Sequence, residues 1–193
     1  MKKILCFGDS NTYGFNPADF SRYDNKSRWS GILNSKFDVI EAGCNNRSCF
    51  NNIGELNSLE TLPKYLNNEL DYIILQIGIN DLQFQYDIRL EIFKENLEKL
   101  IKLIDSQIKV ILLCPNIIDN CILKSYFANL FDESSIKKSK QLPEIYNKVA
   151  LKNNCILINL NNIAKTSSID GLHYDIKNHQ LIAKEIINQV CRN

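Results

Sequence analysis

Lys3-Ile4-Leu5-Cys6-Phe7, broken off by Gly8-Asp9-Ser10, is the stretch from which the architecture is read. A short Ile- and Leu-rich run of strand length that stops at a glycine, with polar turn residues after it, has the pattern of a strand leading into a helix. Four further runs repeat it: Asp38 to Ala42, Tyr72 to Gln76, Lys109 to Cys114 and Cys155 to Asn159. Their near-continuous apolarity suits strands covered on both faces, as in a parallel sheet between helices. Between them, Ile88, Phe93, Leu97, Leu100, Ile101 and Ile104 make one apolar helical stripe, with Lys94, Glu95, Glu98 and Lys102 largely opposite. Ile182, Ile186, Ile187 and Val190 repeat the pattern near the end. The alternation predicts an α/β fold, a three-layer α/β/α sandwich around a doubly wound five-stranded parallel sheet.

The 193 residues fit one domain over 1–193, and 45% hydrophobic with 23% charged residues is a globular composition. A formal net charge of +1 gives no basic excess for nucleic acid, and no apolar run approaches the length of a membrane span. The 7 cysteines are an odd number without a C-x-x-C pair, so neither a disulfide framework nor a zinc site is indicated. The apolar run after Met1-Lys2-Lys3 is too short for a signal peptide, and a cytoplasmic protein is expected. Pro115 to Ser134 is a long excursion carrying Tyr126, Phe127 and Phe131, placed to wall a pocket.

In an open α/β sheet, ligands bind at the carboxyl ends of the strands. Four polar segments therefore belong on one rim. They are Gly8-Asp9-Ser10-Asn11-Thr12-Tyr13-Gly14, Gly43-Cys44-Asn45-Asn46-Arg47, Gly78-Ile79-Asn80-Asp81 and Asp170-Gly171-Leu172-His173. A serine hydroxyl is a weak nucleophile that needs a base, itself oriented by a third group. Of His173 and His179, only His173 has a carboxylate three residues earlier. A helical turn there would place Asp170 at Nδ1 and aim Nε2 at Ser10. An oxyanion needs donors, and the candidates are the N–H of Ser10, the N–H of side-chain-free Gly43 and the neutral amide of Asn80. Each residue alone has an ordinary structural role as a cap or turn; their joint placement on one rim carries the catalytic reading.

The blocks Gly8-Asp9-Ser10, Gly78-Ile79-Asn80-Asp81 and Asp170-Gly171-Leu172-His173, in that order over nearly the whole chain, resemble the SGNH hydrolases, or GDSL esterases and lipases. Arg28-Trp29, and Val39-Ile40-Glu41-Ala42-Gly43 with Arg47-Ser48, are similar to the arylesterase and acyltransferase branch. The resemblance implies a flavodoxin-like sheet, a triad of Ser10, Asp170 and His173, and an oxyanion hole of Ser10, Gly43 and Asn80. It implies neither metal nor cofactor. Asp9 and Asp81 are expected to support the site, Asp81 by holding the Asn80 loop. The chain departs from the family pattern at Asn11, where the family name implies Leu, and at Cys44, Asn45 and Asn46, where small residues are usual.

The expected activity is that of a serine esterase or acylhydrolase, cleaving or transferring a small acyl group of a small-molecule ester. Tyr13, Cys44, Arg47, Tyr126 and Phe127 are candidate pocket walls; Arg47 is equally open to a loop salt bridge. A homo-oligomer is neither implied nor excluded. One alternative is a flavodoxin-like phosphate or nucleotide module without catalysis. Asp9 would repel a phosphate there, and no G-x-x-x-x-G-K-[ST] loop is present. A carbohydrate O-deacetylase or a thioesterase is the alternative within the same hydrolase class.

Overall fold

The computed structural model describes residues 1–192. In chain order the elements are β1 (Lys3–Gly8), α1 (Ser10–Tyr13), α2 (Trp29–Ile32), β2 (Asp38–Gly43), α3 (Ser58–Thr61) and β3 (Tyr72–Gln76). They continue with α4 (Leu90–Lys102), β4 (Lys109–Cys114), α5 (Glu133–Ser139), α6 (Leu142–Lys152), β5 (Ile156–Asn159) and α7 (Ile176–Arg192). All five strands pair parallel in the order β2-β1-β3-β4-β5, the doubly wound arrangement expected. Strand order reverses beside β1, so the loops after β1 and β3 face one crevice.

Successive strand side chains point to opposite faces, and the core divides accordingly. Leu5, Phe7, Ile73, Leu75 and Leu112 pack with Phe93 and Leu97 of α4 and Tyr146 and Val149 of α6. Ile4, Cys6, Ile74, Ile111 and Leu113 pack with Trp29 of α2 and Ile182, Ile186 and Val190 of α7. Ile88 and Ile104 are buried just beyond the ends of α4. Glu98, expected on the outer side, is buried too, where it accepts from Lys152 Nζ at 2.7 Å.

The Pro115 to Ser134 excursion is folded rather than loose. It forms two short 3₁₀ turns, Asn120–Lys124 and Tyr126–Asn129, capped by the side chains of Asp119 and Ser125. Asp132 and Ser135 then form a capping box that starts α5. No helix among the described residues is long and apolar enough to cross a membrane.

His179 lies inside the α2/α7 layer. Its Nδ1 accepts the Trp29 N–H at 3.3 Å, the rings of Tyr23 and Tyr174 stand against it, and Nε2 has no hydrogen-bond partner among the described residues. Burial, with the nearby His173 second, pushes its pKa down to about 3. As pH falls through about 6.5 the unfolded chain takes up a proton that the folded chain refuses, so stability drops with pH. The His179→Gln protein keeps an acceptor and removes this titration. Between pH 8 and pH 5 the parent should lose about 2 kcal/mol relative to that variant. Urea denaturation at the two pH values measures it, and parallel losses would show that the fold accepts protonated His179.

Candidate active site

Ser10 is the first residue of α1, immediately past the end of β1. The Asp9 carboxylate accepts the Asn11 N–H at 2.9 Å and caps the helix, and Gly14, at φ 85°, ends it after four residues. A Cβ on Gly43 would fall 2.2 Å from Tyr13 N and 2.5 Å from the Thr12 carbonyl carbon, so α1 rests directly on the end of β2. Asn11, the departure from Leu, donates from Nδ2 to the Leu172 carbonyl at 3.3 Å and ties this turn to the loop that carries His173.

His173 Nε2 stands 2.9 Å from Ser10 Oγ, and Nδ1 stands 2.6 Å from Asp170 Oδ2. The segment from Asp170 to His173 is a turn, not a helix. The carboxylate shapes it: Asp170 Oδ1 accepts the N–H groups of Leu172 and His173, each at 3.0 Å. All three side chains are buried. Burial alone raises the Asp170 pKa, but the hydrogen bonds and charge of His173 and the two backbone N–H groups outweigh it and leave the carboxyl below its usual value. An ionised carboxylate only accepts, so Nδ1 carries the proton and Nε2 is free to accept from the Ser10 hydroxyl.

Asn80 and Asp81 begin a 3₁₀ turn shortly after β3. Asn80 Nδ2 donates to the Arg47 carbonyl at 3.0 Å. Asp81 accepts the N–H of Cys49 at 2.7 Å and of Phe50 at 3.3 Å, and so anchors the loop that follows β2. Burial pushes both Asp9 and Asp81 up to about 7.

A cavity of about 130 Å³ opens over Ser10, Asn80 and His173. Asn45 and Asn46 form a polar wall; Phe15, Phe127, Leu130, Phe131 and Leu172 form the apolar one. The rings of Phe15 and Phe127 lie 4.5 and 5.3 Å from the imidazole of His173. Two wider hollows, of about 450 and 540 Å³, share Asp105, Ile108 and Lys109 at the far ends of the strands and contain no serine and histidine pair. Among the described residues, no group of three or more His, Cys, Asp or Glu side chains is arranged to hold a metal ion.

The structure thus brings Ser10, Asn80, Asp170, His173 and Phe127 together and keeps other sequence candidates apart. Gly43 lies beneath α1 and does not line the cavity. Tyr13 stacks under the Arg22 guanidinium, and Cys44 stands outside the lining. Tyr126 is 76% exposed and stacks on Phe20 and Phe127 outside the cavity. Among the described residues Arg47 makes no salt bridge, and it does not line the cavity. It is buried over the Phe7 ring and donates to the carbonyls of Gly8, Ala42 and Glu55, closing the ends of β1 and β2.

Phe15 and Asn46 line the cavity although the sequence reading did not select them. The available signals were Gly14, whose left-handed turn redirects the chain, and the Asn45-Asn46 pair, since Asn tolerates the left-handed region where Asn46 sits at φ 62°.

A family profile described as GDSL-like Lipase/Acylhydrolase matches residues 4–186. A carbohydrate acetylesterase family member from Sinorhizobium meliloti superposes with TM-score 0.87 at 24% identity, over 98% of this chain and 97% of that one. The native aryl esterase of M. smegmatis does so with TM-score 0.90 at 24% identity, over 100% and 99%. A lipase/acylhydrolase from Enterococcus faecalis gives TM-score 0.71 at 24% identity, over 98% and 95%. No curated protein sequence matches the chain.

Gly43→Ala should displace α1, because the added methyl meets backbone rather than a movable side chain. The expected cost is about 1–3 kcal/mol of stability, accompanied by loss of the 2.9 Å contact between Ser10 and His173. Urea denaturation with ester turnover on the same preparation tests this; parental stability and turnover would show that the approach is not tight.

Proposed function

Because the chain belongs to the GDSL-like lipase/acylhydrolase family and is an ester-cleaving hydrolase, we propose that Ser10 is its nucleophile, His173 its general base and Asp170 the orienter of that base. The supporting observation is the buried relay Ser10 Oγ, His173 Nε2 and Nδ1, Asp170 Oδ2 at the edge of a cavity that Asn80 also lines. His173 takes the hydroxyl proton as Ser10 Oγ attacks the ester carbonyl, then returns it to the leaving alcohol. An acyl-enzyme on Ser10 remains until water or a second alcohol releases it. Asp170 stays ionised and stabilises the transient imidazolium.

The negative charge that develops on the carbonyl oxygen falls to the Ser10 N–H and the Asn80 amide. The third donor in this reading is the N–H of Asn46, not of Gly43. Asn46 lines the cavity in a left-handed turn, and among the described residues no acceptor meets its N–H. Asp9 and Asp81 support these groups as cap and loop anchor.

The substrate follows from the walls. A cavity of about 130 Å³ closed on one side by side chains suits a small acyl group. That fits acetyl to butyryl groups, with Phe127, Leu130, Phe131 and Leu172 as the apolar enclosure. The reading includes a single cytoplasmic domain acting on small-molecule esters without nucleic acid, which the composition supports.

Ser10→Ala and His173→Ala should each remove most ester turnover, and Ser10→Ala should also abolish labelling by a fluorophosphonate. Retained turnover in Ser10→Ala would overturn the serine mechanism. Asn80→Ala should lower kcat by roughly 10²–10³-fold with little change in KM. Across p-nitrophenyl esters from acetate to palmitate, kcat/KM should peak at or below butyrate, since each further CH₂ finds no burial worth its ~0.8 kcal/mol. A maximum at dodecanoate or beyond would mean that the excursion opens into an acyl channel.

A further inference from the structure

Gln83 lies behind Asn46 and Asn80, and the residue is 1% exposed. Its Nε2 donates to Asn46 Oδ1 at 2.6 Å and to Asn80 Oδ1 at 3.3 Å, while its Oε1 accepts from Gln85 Nε2 at 3.0 Å. These assignments follow from one fixed acceptor. The Arg47 carbonyl can only accept, so the Asn80 atom 3.0 Å from it must be Nδ2. The other Asn80 terminal atom is then the oxygen, and the group facing it must donate.

We infer that Gln83 is a positioning residue for ester cleavage: it holds the Asn80 and Asn46 side chains by their oxygens, fixing the Asn80 amide with its donor side toward the reacting carbonyl. The inference rests on the proposed role of Asn80 as an oxyanion donor. With Oδ1 held by Gln83 and one Nδ2 hydrogen held by the Arg47 carbonyl, the amide cannot rotate without breaking two hydrogen bonds. One hydrogen remains for the substrate. A flipped Asn80 would present an oxygen to the oxyanion and turn a donor into a repulsive group, so orientation matters as much as presence.

Gln83→Met keeps the volume and removes the donor, whereas Gln83→Glu keeps the shape and sets an acceptor against both oxygens. Rates are normalised to the sites titrated by a fluorophosphonate, so misfolded protein does not count. Gln83→Met should lower kcat on p-nitrophenyl acetate about tenfold with KM within about twofold, and Gln83→Glu should lower it further. In the Asn80→Ala background, Gln83→Met should change kcat less than about twofold, because the amide it orients is gone. A parental kcat in Gln83→Met, or its full effect retained beside Asn80→Ala, would overturn the inference while Ser10 and Asn80 keep their roles. If Asn80→Ala itself retains full kcat, the oxyanion role of Asn80 fails and the inference fails with it.

Discussion

The contact on which the site depends is between two stretches of backbone. The first helix lies on the end of β2 so closely that a Cβ at Gly43 would stand 2.2 Å from Tyr13 N, and one at Gly8 would stand 2.2 Å from the Gln76 carbonyl. Removing side chains at these two points lets a four-residue helix start directly above β1, and Ser10 is its first residue. A helix that short has little stability of its own. The Asp9 cap, the Gly14 turn and the sheet beneath it hold it in place. The Asn11 side chain then carries that placement to the Leu172 carbonyl, next to His173.

Three buried carboxylates surround this turn and are treated differently. Asp170 receives two backbone N–H groups and an imidazole, which offset its burial and hold it below the ordinary range. For Asp9 and Asp81, burial outweighs the backbone donors, and both are pushed up to about 7. The signs for stability are opposite. Asp170 stabilises the fold above its unfolded pKa and loses that contribution as pH falls through its lower folded value. Asp9 and Asp81 bind protons more tightly in the fold, so each reduces stability as pH rises from about 3.8 to about 7. The rim therefore keeps one carboxylate ionised beside the imidazole of His173 and uses the other two to hold backbone.

The sheet was legible because strand burial imposes a composition: each run rich in Ile, Leu and Val became a strand within a residue or so at either end. The meeting of Ser10, Asp170 and His173 was legible because these residue types stand at chain positions that the topology brings to one rim. Loop side chains were not, since their directions depend on dihedral angles that composition does not encode. Gly43 lacks a side chain because α1 lies on it, and the same lack suits it equally to approach an oxyanion. Arg47 carries a charge that invites a carboxylate, yet its donors reach three backbone carbonyls instead. Tyr126 and Phe127 are neighbours in sequence on one 3₁₀ turn, and only Phe127 faces the cavity.

The two walls of the cavity differ in chemistry. Asn45 and Asn46 stand with Asn80 on the polar side, while Phe15 and Phe127 stand against the imidazole of His173. Excluding water beside His173 strengthens its bond to Asp170, because a lower local dielectric raises the worth of a charge-assisted hydrogen bond. That benefit requires the rings to be in place before the ester arrives. Asp119 and Ser125 cap the two 3₁₀ turns, and the Asp132 capping box fixes the start of α5, so Phe127 is held between structured segments rather than on a free loop. Phe131, only 1% exposed, packs into the core from the same segment. The excursion is thus a structured wall of the fold, and under the proposed function its dimensions would set the acyl size.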